Sequence, residues 1–186
     1  PYTTLFRSAT QPALGPLFAE FLPGRPAVEL CPPELCPPES FRRVCFRQAG
    51  RLDWDTLSGQ LQQHEQVLCV VNSRKSAQEI FTRLSGEGNF HLSTLMYPAH
   101  RRAKLEEIRR RLKGGLPCRV ISTSLIEAGV DVDFPAVFRE EAGLDSILQA
   151  AGRCNREGKR PVSESIVTLF RGEAAPPPLF QTAIGV

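Results

Sequence analysis

The stretch with the clearest capacity for chemistry is QAAGRCNREG, residues 149–158, which we call the arginine segment. It places Arg153 and Arg156 three positions apart between glycines. Arginine stays charged and binds phosphate oxygens through two parallel hydrogen bonds, so this pair suits a triphosphate. A helix begun at Asp145 would also bring Gln149 and Arg153 onto one face, four residues apart. A solvated basic loop is the alternative interpretation of the segment taken alone.

A second stretch, VISTSLIEAGVDVDFP, is called the aspartate segment and covers residues 120–135. Its Ser-Thr-Ser step follows an apolar strand pattern, and hydroxyls such as that of Thr123 can bind a phosphodiester at a strand end. Asp131 follows the flexible Gly129, and an acidic residue in that position can bind ribose hydroxyls. The alternative is a well-capped turn with Asp131 facing water.

Two helix starts are candidate phosphate contacts. Asn72, Ser73 and Arg74 follow an apolar run, and the free N–H groups of the helix that they begin suit a phosphate. His100 and Arg101 begin HRRAKLEEIRRRLKGG, which holds seven Lys or Arg against two Glu, and they could reach a nucleic-acid backbone. A plain helix cap and a solvated charged face are the respective alternatives.

The apolar periodicity predicts elements that bring these stretches to one edge of a sheet. Strands are predicted at 41–48, 67–71, 91–97, 118–123, 136–140 and 164–170, and helices at 53–64, 73–84, 100–113 and 145–151. This alternation is typical of an α/β fold with a doubly wound, mostly parallel sheet. Ligands bind at the carboxyl ends of such strands, so function is expected just after Val71, Tyr97, Ile121 and Glu140.

Bulk properties exclude several classes of protein. The 186 residues are 41% hydrophobic, enough for one globular core, and a net charge of +3 does not by itself indicate nucleic acid. The six scattered cysteines indicate reduced thiols in a cytoplasmic protein. Cys31 and Cys36 have no matching second pair, so we expect no bound metal. No apolar run approaches a membrane span and no signal peptide begins the chain, which predicts no membrane contact.

Taken in order, these stretches resemble the second RecA-like lobe of a superfamily 2 helicase. VVNSRKSAQEIF is similar to the fourth helicase motif, the aspartate segment to the fifth and the arginine segment to the sixth, while Ser8-Ala9-Thr10 matches the step that ends the first lobe. Four stretches are most similar to the CRISPR-associated helicase-nuclease of type I systems: ATQPAL, YPAHRR, IEAGVDVDFP and QAAGRCNREG.

The resemblance implies a function. Arg153 and Arg156 would be arginine fingers on the γ-phosphate of ATP, with Gln149 beside them. Asp131 would bind the ribose, Thr123 and Ser73 the DNA backbone, and Thr10 would couple hydrolysis to strand movement. The family joins an HD-type nuclease to two helicase lobes, and an RNA-guided complex recruits it to DNA.

One absence limits what the chain does alone. It contains no G-x-x-x-x-G-K-[ST] loop and no Asp-Glu box, so ATP and Mg²⁺ would be bound mainly by an upstream first lobe. The lobe is thus P-loop NTPase-like without the P-loop, and we expect little ATPase activity from this chain by itself.

The domain layout follows from composition and resemblance. Residues 1–8 can be back-translated into a stretch similar to a widely used sequencing adapter and are interpreted as an artefact. Residues 9–24 would end the first lobe, 25–40 form a Pro-rich linker, 41–172 the second lobe and 173–186 a tail.

Two other functions stay open at this point. One is a different superfamily 2 helicase, acting on RNA or in repair. The other is a binding module that keeps the fold without catalysis.

Overall fold

The computed structural model describes residues 42–126 and 130–173. Thr10 and Gly129 lie outside the described residues, as do the predicted segments 1–8, 9–24 and 25–40 and nearly all of the predicted tail. The compact unit that holds the described elements begins at Arg43.

Strands and helices alternate along the described residues. They are β1 (Cys45–Arg51), α1 (Trp54–Gln62), β2 (Gln66–Val70), α2 (Arg74–Arg83), β3 (Asn89–Leu92), α3 (Pro98–Lys113), β4 (Cys118–Ser122), β5 (Ala136–Glu140), α4 (Leu144–Ala151) and β6 (Ile166–Arg171). Short 3-10 turns occur at Ser124–Ile126 and Val162–Glu164.

The six strands form one sheet in the order β1-β6-β5-β2-β4-β3, and every pairing in it is parallel. The chain moves towards the β3 edge through α1 and α2, and returns towards the β1 edge through α3 and α4. Right-handed crossovers in opposite directions place the two pairs of helices on opposite faces. The doubly wound parallel α/β fold expected from the sequence is therefore confirmed.

A separate apolar core lies on each face of the sheet. On one face Leu57 and Leu61 of α1 pack with Ile80 of α2, and on the other Ile108 of α3 packs with Ala150 of α4. The central strands are buried on both faces, which explains why their sequences are continuous apolar runs rather than alternating patterns.

Helix starts follow local hydrogen bonding. Asp53 caps α1 by accepting the N–H of Thr56 at 2.7 Å, as the sequence predicted. Helix α3 begins at Pro98, two residues before the predicted start, because proline at a first helical position needs no N–H partner.

Three sequence expectations are wrong in detail. Strand β3 ends at Leu92 rather than at residue 97, because the chain turns where the N–H of Met96 donates to the Ser93 carbonyl at 3.1 Å. Asp145 does not cap α4, since Gly143 occupies the N-cap without a side-chain bond. Strand β1 lies at 45–51 rather than 41–48.

Gln149 and Arg153 do not share one helical face, so this sequence expectation is also wrong. Helix α4 ends at Ala151, and the N–H of Arg153 then bonds to the carbonyl of Ala150 at 2.9 Å. This three-residue spacing tightens the chain into a turn, so Arg153 lies beyond the helix.

Candidate functional site

Backbone hydrogen bonds join the arginine segment to the aspartate segment. The N–H of Phe134 donates to the carbonyl of Arg153 at 2.8 Å, and the N–H of Asn155 donates to the carbonyl of Phe134 at 3.0 Å. Phe134 and Cys154 thereby form an isolated parallel bridge. The two segments are separate in sequence, and this bridge fixes their relative position.

Asn155 holds the turn between the two arginines. It is buried and has a φ of 47°, a left-handed conformation that asparagine adopts more readily than most residues. Its side-chain amide donates to the carbonyls of Arg43 at 2.9 Å and Arg160 at 2.8 Å, and its Oδ1 accepts the N–H of Arg160 at 3.0 Å. Sequence reasoning did not select Asn155, although asparagine between two predicted ligands signals a left-handed turn.

Two carboxylates of the aspartate segment position Arg156. Its Nε lies 2.8 Å from Asp131 Oδ1, and its main-chain N–H donates to Asp133 Oδ1 at 2.7 Å. Asp133 is well covered and also accepts from the guanidinium of Arg160 at 3.0 Å. Arg109 of α3 donates to the Asp131 carbonyl at 3.0 Å. The predicted phosphate ligand and the predicted ribose ligand are therefore in contact.

The Arg156–Asp131 pair is accessible to a ligand. The Arg156 side chain is 43% exposed and that of Asp131 is 79% exposed. An exposed ion pair contributes about 0–1 kcal/mol, so either partner can exchange the other for a ligand at small cost.

Arg153 has a different environment from Arg156. It is buried, and its Nε donates to the carbonyl of Ile126 at 3.1 Å. Its guanidinium therefore helps to hold the aspartate segment against the turn that follows α4. Gln149 lies on α4, four residues before Arg153, and is half-buried.

Asn72 at the end of β2 is fixed by its neighbours. Its side-chain amide donates to the Glu141 carbonyl at 2.7 Å, while its Oδ1 accepts from Arg139 at 2.7 Å. Its main-chain N–H donates to Glu140 Oε2 at 2.6 Å. These bonds connect the carboxyl ends of β2 and β5, so the Asn72 side chain has a structural role.

Arg139 and Glu140 are adjacent buried charged residues that sequence reasoning did not select. Arg139 donates to the carbonyl of Glu140 at 2.8 Å as well as to Asn72. Burial raises the pKa of Glu140, and the Asn72 N–H and the Arg139 charge partly oppose that effect. The signal in the sequence was the placement of two charges at the end of an apolar strand.

The start of α2 combines a cap with an exposed cation. Ser73 caps the helix by accepting the N–H of Ser76 at 3.0 Å. Arg74 is exposed, and its side chain forms no hydrogen bond or ion pair with the residues that the structure describes. Ser73 therefore acts as the helix cap. The exposed Arg74 is accessible to a phosphate.

His100 and Arg101 lie in the first turn of α3, and a cleft of about 390 Å³ lies between this helix and the aspartate segment. Arg101, Arg102 and Arg109 line the cleft.

Thr123 lies at the end of β4, where it is buried, and its Oγ1 has no hydrogen-bond partner within residues 42–126 and 130–173.

Within the described ranges, no group of three or more His, Cys, Asp or Glu residues could hold a metal ion. The cysteines in those ranges are free thiols; Cys31 and Cys36 lie outside them. None of the helices in that part of the chain combines the length and the apolar character needed to cross a membrane.

A parallel six-stranded sheet covered by helices on both faces, with these segments at its carboxyl edge, has the fold of a RecA-like helicase lobe. A family model described as CRISPR-associated nuclease/helicase Cas3, C-terminal, matches residues 63–159, more than half of the chain. The chain belongs to this family.

Two curated relatives carry the name CRISPR-associated nuclease/helicase Cas3. The protein of Haloferax volcanii is 57% identical over 56 residues, which are 30% of this chain and 6% of the relative. That of Methanothermobacter thermautotrophicus is 31% identical over 91 residues, 48% of this chain and 11% of the relative. The chain thus matches only a small part of each relative.

Solved structures show the same fold. T. fusca Cas3 with ADP has a TM-score of 0.60 at 17% identity, covering 76% of this chain and 20% of that chain. The Mycobacterium smegmatis helicase Lhr, solved with ssDNA and AMP-PNP, has a TM-score of 0.51 at 19% identity, covering 69% and 20%.

Proposed function

We propose that this chain is the second lobe of an ATP-dependent DNA helicase and translocase that acts in type I CRISPR interference. Family membership supports the CRISPR assignment. The observation that carries the mechanism is the contact between Arg156 and Asp131, which joins a candidate phosphate ligand to a candidate ribose ligand at one edge of the sheet.

The proposed role of the arginine segment is to complete an ATP site on a facing lobe. ATP and Mg²⁺ would supply the hydrolysable phosphate and its counter-charge, and would be held mainly by that lobe. Arg156 would exchange Asp131 for the γ-phosphate, which leaves the Asp131 carboxylate for the ribose hydroxyls. Arg153, with Gln149 nearby on α4, would add positive charge and keep the aspartate segment in place.

Charge neutralisation by arginine stabilises the transition state of phosphate transfer, and comparable fingers contribute on the order of 10³ to 10⁵ in rate. ATP that bridges two lobes draws them together, and hydrolysis releases them, so a strand held by both can advance. Thr10, outside the described residues, is the proposed coupling residue between these events.

Single-stranded DNA would be bound through its backbone at the carboxyl edge of the sheet. The candidate cations are Arg74, which is exposed, and Arg101, which is half-buried in the first turn of α3 next to His100. The N-terminal end of α2 at Ser73 would add N–H donors, and Asn72 would contribute by fixing that end. Thr123, proposed from the sequence as a hydroxyl donor, is buried and would have to become exposed to reach the strand. Backbone contacts give weak sequence preference and strong salt dependence.

The rest of the proposed machinery lies beyond what this chain covers. Its curated relatives are named as nuclease and helicase, and the chain spans 6% and 11% of their lengths. A first helicase lobe, an HD-type nuclease domain and recruitment by an RNA-guided surveillance complex are therefore proposals. A structure titled CRISPR RNA-guided surveillance complex, pre-nicking, shares the fold with a TM-score of 0.56. The cytoplasmic location expected from the sequence stays a prediction.

A helicase of another branch is the second candidate. The fold likeness to Lhr and to the DUF1998 helicase MrfA, with TM-scores of 0.51 and 0.52, is compatible with it. The family match favours the CRISPR branch. A non-catalytic binding module would need neither the accessible Arg156 nor its contact with Asp131.

Salt-dependent binding of single-stranded DNA by the chain tests the proposed grip. The slope of log affinity against log salt is about −0.7 for each phosphate contacted. Removing two contacts with the double variant Arg74→Ala, Arg101→Ala should make the slope shallower by about 1.4. The exposed Arg110, paired with Glu107 on α3, gives the matched control Arg110→Ala, which should leave the slope unchanged. An unchanged slope in the double variant would contradict the assignment.

A further inference from the structure

The turn after β3 exposes two large apolar side chains. Leu95 is 77% exposed and Tyr97 is 66% exposed, whereas Met96 between them packs against the core. Exposing an aromatic ring of this size forgoes the free energy that its burial would provide. A ligand that covers the Tyr97 ring would recover this free energy.

The Tyr97 ring is held in place by the start of α3. Tyr97 is the N-cap residue, and the restricted backbone of Pro98 follows it directly. The His100 ring lies 5.7 Å from the Tyr97 ring, centroid to centroid, with the planes tilted by 38°. A ring fixed in this way loses little freedom when a flat ligand stacks on it.

The surroundings of Tyr97 are basic and lie at the functional edge. Leu92 at the end of β3 pairs with Ser122 at the end of β4, so the turn begins beside Thr123. Arg101 lies one turn further along α3, and lines the cleft next to the aspartate segment. An anionic polymer with flat groups matches this combination of a cation beside the cleft and an exposed ring.

We propose that Tyr97 is a stacking platform for a nucleobase of single-stranded DNA. The inference rests on the proposed function of the chain and adds a base contact to its backbone contacts. The ribose-phosphate chain would pass the first turn of α3 at Arg101, and one base would turn onto the exposed face of the Tyr97 ring. Every base has a π-face, so this contact favours no particular sequence.

The test compares two oligonucleotides of equal charge, poly-dT of about 12 nucleotides and an abasic chain of the same length. This length lies within the roughly 4–16 nucleotides that an OB fold, another single-strand-binding domain, covers. The chain with Tyr97→Ala should bind poly-dT about 5- to 140-fold more weakly, the loss that follows from removing one stacked base. Its affinity for the abasic chain should not change. Tyr97→Phe should restore the wild-type preference for poly-dT.

Leu95→Ala is the matched control, because it removes an even more exposed apolar side chain from the same turn without removing a ring. Photocrosslinking of the wild-type chain to an oligonucleotide with 5-iododeoxyuridine needs no variant, and the crosslink should map to Tyr97. Equal losses on both oligonucleotides, no loss on either, or a crosslink elsewhere would overturn the inference while leaving backbone binding intact. Failure of the wild-type chain to bind poly-dT would overturn the proposed function itself, and the stacking platform with it.

Discussion

Replacing Asn155 by alanine should destabilise the chain more than any exposed substitution in the same segment. The change removes three side-chain hydrogen bonds, two to the Arg160 main chain and one to the Arg43 carbonyl. At a net 0.5–1.5 kcal/mol each, these bonds contribute about 1.5–4.5 kcal/mol. Alanine at a φ of 47° adds roughly 1 kcal/mol of backbone strain. We expect a loss of about 3–5 kcal/mol in the free energy of unfolding.

The measurement is urea unfolding of the 186-residue chain followed by the fluorescence of its single tryptophan, Trp54, which is buried. Asn155→Gly is the matched variant: it loses the same hydrogen bonds but tolerates the positive φ, so it should be more stable than Asn155→Ala by roughly 1 kcal/mol. An alanine variant within about 1 kcal/mol of wild type, or a glycine variant less stable than it, would refute the role assigned to this turn.

Burial raises the pKa of Glu140, so the folded state binds more protons than the unfolded state between the ordinary value of 4.5 and the raised value. Unfolding at a series of pH values should therefore show that Glu140→Gln gains stability relative to wild type as the pH rises through this window; a constant difference would contradict it. Burial raises the pKa of the Cys118 and Cys154 thiols to about 12, so Ellman's reagent at neutral pH should modify the half-buried Cys45 well before either, and equal rates would contradict their burial. Leu57→Ala, in the core between α1 and the sheet, should cost about 2–5 kcal/mol in urea unfolding, and a neutral result would contradict its placement.

The fold could be predicted because its signals are local. Continuous apolar runs such as that of β2 indicate strands buried on both faces, and the spacing of Ala77 and Ile80 indicates a helix packed on one. Errors concentrated at the ends of elements, where turns and tertiary hydrogen bonds decide the boundary. The turn at Ser93 ends β3 earlier than the sequence predicted. The bridge between Phe134 and Cys154 lies just after the end of α4, where the chain is no longer helical.

The candidate site was predictable in its residue types and not in its pairing. The sequence predicted Arg156 and Asp131 as separate candidate ligands, and the ligand roles stay predictions. Their contact with each other arises from a backbone bridge between segments about 20 residues apart. Asn155 and Asp133 were not selected, because their function is to position other residues. Composition and periodicity carry little information about such positioning contacts.

The central claim is that Arg156 completes an ATP site across two lobes. The most direct test is steady-state hydrolysis of ATP, stimulated by single-stranded DNA, in the complete protein to which we propose the chain belongs. Arg156→Ala should lower kcat by on the order of 10³ or more, because the finger acts on the transition state. Its binding of single-stranded DNA should persist, and Arg110→Ala should behave as wild type. An Arg156→Ala protein that keeps the wild-type kcat would contradict the account.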